Sequence, residues 1–265
     1  MNHPSAPSAL PPEDLATVHA LAGPEDAHVD LLLPDCNGVL RGKRVSAGSL
    51  EKVYAEGVCL PMSLVAADIT GNTVEETGLG YDIGDEDRIC RPIPGSLRPV
   101  PWSPRPALQL LLAMEDGAGG WFDAHPRRVL ERVVDRYREL GLVPVVAVEL
   151  EFYLFDRLAD ADGRPQPTLN ASDGARNAST QVYSIDDLDE NAGFIDAVAR
   201  ACRAQRIPAD TAVAEYAPGQ FEINLKHRAD AVAAWQSARL GEPDGGEETG
   251  DHAAAQSDER SGESA

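Results

Sequence analysis

Two glutamates stand two residues apart in an otherwise apolar run, Val145-Val146-Ala147-Val148-Glu149-Leu150-Glu151-Phe152-Tyr153-Leu154-Phe155. Alternate residues of a strand share a face, so Glu149 and Glu151 project the same way, roughly 6.5 Å apart along the chain. Val146, Val148, Leu150, Phe152 and Leu154 fill the other face. The run reads as too apolar for a solvent-facing edge. Two neighbouring carboxylates in a largely buried strand repel each other and lose hydration, so they call for a cation: Lys, Arg or a divalent metal. Oxygen-only ligands suit Mg²⁺ or Mn²⁺. If that face is wet instead, the pair is simply solvated.

A second stretch, Glu215-Tyr216-Ala217-Pro218-Gly219-Gln220-Phe221-Glu222-Ile223-Asn224-Leu225, repeats the chemistry. Gln220, Glu222 and Asn224 occupy one strand face, and Phe221, Ile223 and Leu225 the other. The Pro218-Gly219 turn folds Glu215 back towards the start of that strand. Four glutamates on two apolar strands point to a metal-lined cleft.

The elements that must carry these strands are legible from periodicity. Residues 143–155 read as one long strand and 220–225 as another. Between 126 and 141 lies the clearest helix, with Val129, Leu130, Val133, Val134, Tyr137 and Leu140 at helical spacing. Pro126 suits its first turn, Asp123 is a capping candidate, and Gly141 ends it. A second helix is expected over 187–205, with Phe194, Ile195, Val198 and Cys202 on its apolar face. Upstream, apolar segments around Asn37-Gly38 predict a β-hairpin. Residues 49–57 suggest a short helix, 60–103 a looped segment with small strands, and 107–113 a buried strand. Helices mixed with hairpin-like strands make the fold class α+β.

The chain has 44 acidic and 23 basic residues, a formal net charge of −21. That surface repels phosphate backbones and anionic lipid, which excludes general nucleic-acid and membrane-surface roles. No apolar run reaches the roughly 20 residues of a membrane span. The N-terminus shows no secretory pattern. Cysteines at 36, 59, 90 and 202 form no CxxC pair and read as reduced, mostly buried thiols of a cytoplasmic protein. Residues 1–26 read as a mostly flexible leader with a short helix over 12–21. Residues 236–265 hold eight acids and a single large apolar residue, Leu240. They are expected to be a disordered acidic tail.

Together, Glu149-Leu150-Glu151-Phe152-Tyr153-Leu154-Phe155-Asp156 and Glu215-Tyr216-Ala217-Pro218-Gly219-Gln220-Phe221-Glu222-Ile223 resemble the glutamine synthetase family, in motif, order and spacing. Asn37-Gly38, Arg41-Gly42-Lys43, Asp68-Ile69-Thr70-Gly71-Asn72-Thr73 and Gly84-Asp85-Glu86-Asp87 resemble its N-terminal β-grasp domain. The resemblance implies a β-grasp-like domain over 27–116 and the first part of a glutamine synthetase-type catalytic α+β domain over 121–235. It implies an ATP-dependent ligase that joins glutamate to ammonia or an amine through γ-glutamyl phosphate, acting as a homo-oligomer. Carried over residue by residue, Glu151, Glu215 and Glu222 match the metal ligands on the glutamate side, and Glu149 a ligand on the nucleotide side. Asp210 falls where the family has a nucleotide-contacting acid, and His227 reads as a surface histidine.

Two departures qualify the resemblance. The ammonia-using members carry Phe-Asp-Gly-Ser-Ser, and the matching stretch here, Leu60-Pro61-Met62-Ser63-Leu64, has no Asp. That points to the γ-glutamyl-polyamine or another γ-glutamyl-amine branch. The resemblance also stops near Trp235, before the family's phosphate-gripping arginines, so the catalytic domain is expected to be truncated and no further catalytic residue is assigned. The alternatives are a catalytically inactive remnant or a metal-binding, oligomerising fragment.

Overall fold

A computed structural model describes residues 9–21, 26–177 and 181–241. Its first half is built on a six-stranded sheet. β1 (His28–Pro34) and β2 (Leu40–Ser46) form the expected hairpin, with Gly38 in the turn at φ 83°. Helix α2 (Leu50–Glu56) follows, then β3 (Val58–Pro61), β4 (Asp87–Pro92), the short β5 (Arg98–Pro99) and β6 (Ala107–Met114). The strand order is β2-β1-β6-β4-β3, with β5 also on β6. β1 runs parallel to β6 and every other pair is antiparallel.

β6 is buried at all eight positions, because it serves two cores. Leu108, Leu110, Leu112 and Met114 face a cluster with Val29, Leu31, Leu33, Val53, Tyr54 and Leu97. Leu111 and Ala113 face a second cluster with Ile93, Cys202, Ile207 and Leu225. A strand covered on both faces is apolar at successive positions rather than alternately. The second cluster joins the two halves of the chain. Gln205, itself buried, adds a bond from its Nε2 to the Pro99 carbonyl (2.9 Å).

The second half carries α3 (Pro126–Glu139), β7 (Glu149–Tyr153), α4 (Ile185–Glu190), α5 (Ala192–Ala204), β8 (Ala209–Ala214), β9 (Gln220–Leu225) and α6 (Ala231–Gly241). Its three strands form an antiparallel sheet in the order β7-β9-β8. Among the described residues no helix is long and apolar enough to cross a membrane.

Several expectations are corrected. The short helix expected in the leader forms as α1 (Pro12–His19), but it is no part of a flexible segment: it docks on the first sheet, with Asp14 completely buried. The 143–155 run is not one strand. Only β7 pairs continuously, and Val146 makes an isolated bridge to Arg228. The 187–205 helix breaks at Asn191, whose φ of −112° leaves the helical region. Its side chain bonds the Asp187 carbonyl and accepts from Thr168. Asp123 does not cap α3. His125 is the cap residue, and Asp123 lies within 4.0 Å of Arg128 and Arg132 instead. Of the four free thiols, Cys90 and Cys202 are buried, but Cys36 and Cys59 are exposed. The expected disordered tail begins inside a helix, since α6 runs through 236–241. Its remainder, 242–265, lies outside the described residues, as do 1–8 and 22–25 of the leader.

Candidate functional site

The carboxylates lie on one face of the three-stranded sheet. Glu149 stands opposite Asn224, Glu151 opposite Glu222, and Tyr153 opposite Gln220. On the other side of β9, Val213 stands opposite Glu222 and Thr211 opposite Asn224. Glu215 extends the last row, since its N–H donates to the Gln220 carbonyl (2.8 Å). Directly opposed residues of antiparallel strands share a face. All four glutamates therefore belong to one surface. Phe152 anchors the other face, with its ring 6.2 Å from Phe221 and 5.7 Å from Phe194.

The strand ends are set by close approach. Gly219, at φ 78°, has its backbone so near β7 that a Cβ there would stand 2.6 Å from the Leu154 carbonyl oxygen. The Leu154 N–H donates to the Gly219 carbonyl (2.7 Å). Gln220 then accepts from the Ala217 N–H through Oε1 (2.9 Å) and donates to Glu151 through Nε2. Asn224 donates to Glu222 (2.8 Å). Two amide side chains thus orient two of the four carboxylates. Beyond β7, the Leu158 N–H and the Arg176 guanidinium hold the Asp156 carboxyl below its usual range, fixing the loop that leaves the strand.

Two features differ from the sequence-based expectation. β7 is an edge strand, and Glu149 and Glu151 are exposed, while Glu215 and Glu222 are half-buried. The strand is apolar because its other face packs inward, not because both faces are covered. Nor do the four close into a cleft: among the described residues no three His, Cys, Asp or Glu side chains come together at metal-holding distance. The donor chemistry nonetheless fits a hard divalent cation. Glu151 opposes Glu222 directly, an arrangement that destabilises a sheet unless neutralised. Among the described residues, none of the ion pairs within 4.0 Å reaches any of the four.

Asp210 does not join the group. It sits at a register shift in β8, at the opposite end of the sheet from Glu215, and pairs with Lys226 at 3.5 Å. His227 is exposed, as expected. Sequence reasoning missed Tyr183, which takes a left-handed backbone (φ 62°) and donates its N–H to the Ala214 carbonyl (2.8 Å), next to Glu215. A bulky residue at positive φ marks strain that the surrounding structure must enforce. No sequence signal flags it, because its partner lies far along the chain.

Residues 123–239 match the family model of the glutamine synthetase catalytic domain. The chain is 47% identical over 215 residues to the gamma-glutamylputrescine synthetase of Escherichia coli strain K12, covering 81% of this chain and 45% of that protein. It is 30% identical over 240 residues to the gamma-glutamylethanolamide synthetase of Streptomyces coelicolor, covering 86% of this chain and 49% of that protein. The chain thus spans about half the length of these relatives. Among solved structures, a glutamine synthase homolog shares the fold with a TM-score of 0.63 at 20% identity, covering 82% of this chain and 48% of the other.

Proposed function

Because this chain belongs to the glutamine synthetase family, we propose that it provides the metal-binding carboxylate face of an ATP-dependent ligase joining glutamate to an amine. The observation that carries this reading is the single sheet face bearing Glu149, Glu151, Glu215 and Glu222, none of which has a Lys, Arg or His within ion-pair distance among the described residues. In this reading Glu151, Glu215 and Glu222 hold Mg²⁺ or Mn²⁺ on the glutamate side, and Glu149 on the nucleotide side. Divalent ions held there would supply positive charge to offset that of the phosphoryl group transferred from ATP to glutamate. The chain's own residues supply the arrangement: Gln220 and Asn224 aim Glu151 and Glu222, and the Gly219 approach brings the strands together.

The relatives named for putrescine and ethanolamide chemistry favour an amine over ammonia as acceptor, in line with Leu60–Leu64 lacking the ammonia branch's Asp. The six-stranded sheet is read as the family's β-grasp domain, and the protein as a cytoplasmic homo-oligomer.

Titration calorimetry with Mn²⁺ tests the reading. The expected result is saturable heat from the parent protein that a Glu151→Ala, Glu222→Ala double variant loses. Equal heats from the two proteins would refute it.

A further inference from the structure

The two halves of the chain meet where the end of α5 lies against β5, and positive charge collects there. Gln205 fixes the contact through its bond to the Pro99 carbonyl (2.9 Å). Arg206 follows Gln205 directly, Arg203 stands in the last turn of α5, and Arg98 precedes Pro99 in β5. Among the described residues, no carboxylate lies within ion-pair distance of any of the three. The chain has 44 acidic residues to 23 basic ones, so arginines grouped without an acid run against its composition.

Two of these arginines also break a local rule. Arg98 is half-buried, and its guanidinium donates only to the Leu97 carbonyl (2.8 Å) among the described residues. Burial holds it below the usual arginine range, and the charge of Arg206 adds to that. Asp14 and Glu13 act in the opposite sense. The Asp14 carboxylate, however, is taken up by Tyr54, Gly95 and Leu97, and Glu13 stays outside ion-pair distance. Arg206 has a left-handed backbone (φ 59°), and the Ile207 N–H after it returns to the Cys202 carbonyl (2.8 Å). Helices place glycine at that position, and an arginine there carries strain that glycine avoids. The partial negative charge of the α5 C-terminus is met by Arg203. A strained backbone that brings a second cation beside a desolvated one overrides local preference, as functional sites do.

We propose that Arg98, Arg203 and Arg206 form a binding site for a phosphoryl dianion at the joint between the two halves. The chemistry is shared by inorganic phosphate and phosphate monoesters. Guanidinium groups present paired N–H donors that match the oxygens of such a group. Three positive charges exceed what one carboxylate neutralises, which favours a dianion. Bound there, the anion bridges β5 of the first half to the end of α5 in the second, and so stabilises the joint by mass action. None of Glu149, Glu151, Glu215 and Glu222 takes part, so the site stands apart from the metal reading.

The test is an NMR titration of the full 265-residue chain in phosphate-free buffer, with inorganic phosphate and glycerol 3-phosphate as separate arms and chloride at matched ionic strength as the control. The expected result is saturable shifts of the Arg98 and Arg206 side-chain N–H signals and of the Gln205 amide with phosphate, and none with chloride. Arg206→Gly, which relieves the backbone and so keeps the fold, should bind phosphate about tenfold more weakly, as should Arg98→Gln. Arg136→Ala, which removes an exposed arginine of α3, should bind as the parent does. Phosphate should raise the melting temperature of the parent more than that of Arg206→Gly. Tighter binding of glycerol 3-phosphate than of phosphate would identify a monoester as the ligand, and the reverse order the free ion. No saturable shift with either, equal affinity in parent and Arg206→Gly, or an equal loss in Arg136→Ala would each overturn the proposal.

Discussion

Asp14 offers the sharpest test of how the first half is held together. Its carboxylate is 0% exposed, yet among the described residues no cation lies within ion-pair distance of it. It is satisfied by three donors: the Tyr54 hydroxyl (2.6 Å), the Gly95 N–H (2.9 Å) and the Leu97 N–H (3.2 Å). The Tyr54 hydroxyl titrates far above its ordinary range, first through burial and then through its bond to Asp14. Asp14→Ala strands all three donors. Each buried donor left without a partner costs about 1–3 kcal/mol, but the costs do not add, because undocking α1 lets water reach them. Undocking in turn exposes the contacts that Leu10, Val18 and Leu21 make with the first core. The expected loss is therefore about 2–4 kcal/mol in denaturant unfolding. Tyr54→Phe removes one charged-acceptor bond and should cost about 1.5–3 kcal/mol. Native-state hydrogen exchange supplies a local readout: in Asp14→Ala the Gly95 and Leu97 amides should lose protection. The Ser96 amide, which donates to the Ile93 carbonyl, should keep it. Unchanged protection at Gly95 and Leu97, with a stability loss under about 0.5 kcal/mol, would show that the buried carboxylate does not fasten α1.

Three further outcomes are expected. Arg206 follows α5 in a left-handed backbone (φ 59°), where the Ile207 N–H returns to the Cys202 carbonyl, so Arg206→Gly should stabilise by about 1 kcal/mol; a lowered melting temperature would contradict this. Burial, with Arg127 adding to it, pushes His125 down to about 4 from an ordinary 6.5. Between those values the unfolded chain takes up a proton that the folded one refuses, so stability should fall as pH drops through that window, and His125→Gln should flatten the fall in unfolding titrations across pH. Gly219→Ala places a Cβ against the Leu154 carbonyl and should cost about 1–3 kcal/mol while reducing Mn²⁺ heat; a variant with parental stability and heat would remove the close approach from the account of the site.

Where a signal is local, the sequence carried it. The spacing of Val129, Val133 and Tyr137 marked α3, with Gly141 at φ 70° just past its end. Asn37-Gly38 marked the hairpin, and the alternation of Gln220, Glu222 and Asn224 marked β9 and placed the glutamates on its face and on that of β7. These features depend on residues within a few positions of one another, and side-chain periodicity encodes them directly. Tertiary structure alone decided the rest. The valines at 143, 145, 146 and 148 have strand propensity, but a strand needs a partner, and continuous pairing begins only at Glu149. Whether β7 lies inside a sheet or at its edge depends on which strands pair with it, so the exposure of Glu149 and Glu151 could not be read from their apolar neighbours. Asp14 looks like one more solvated acid in a Pro-rich leader. It becomes a buried anchor because donors 40, 81 and 83 residues away converge on it. Burial of a charge is a property of the assembled neighbourhood, and only the folded chain brings those donors within reach.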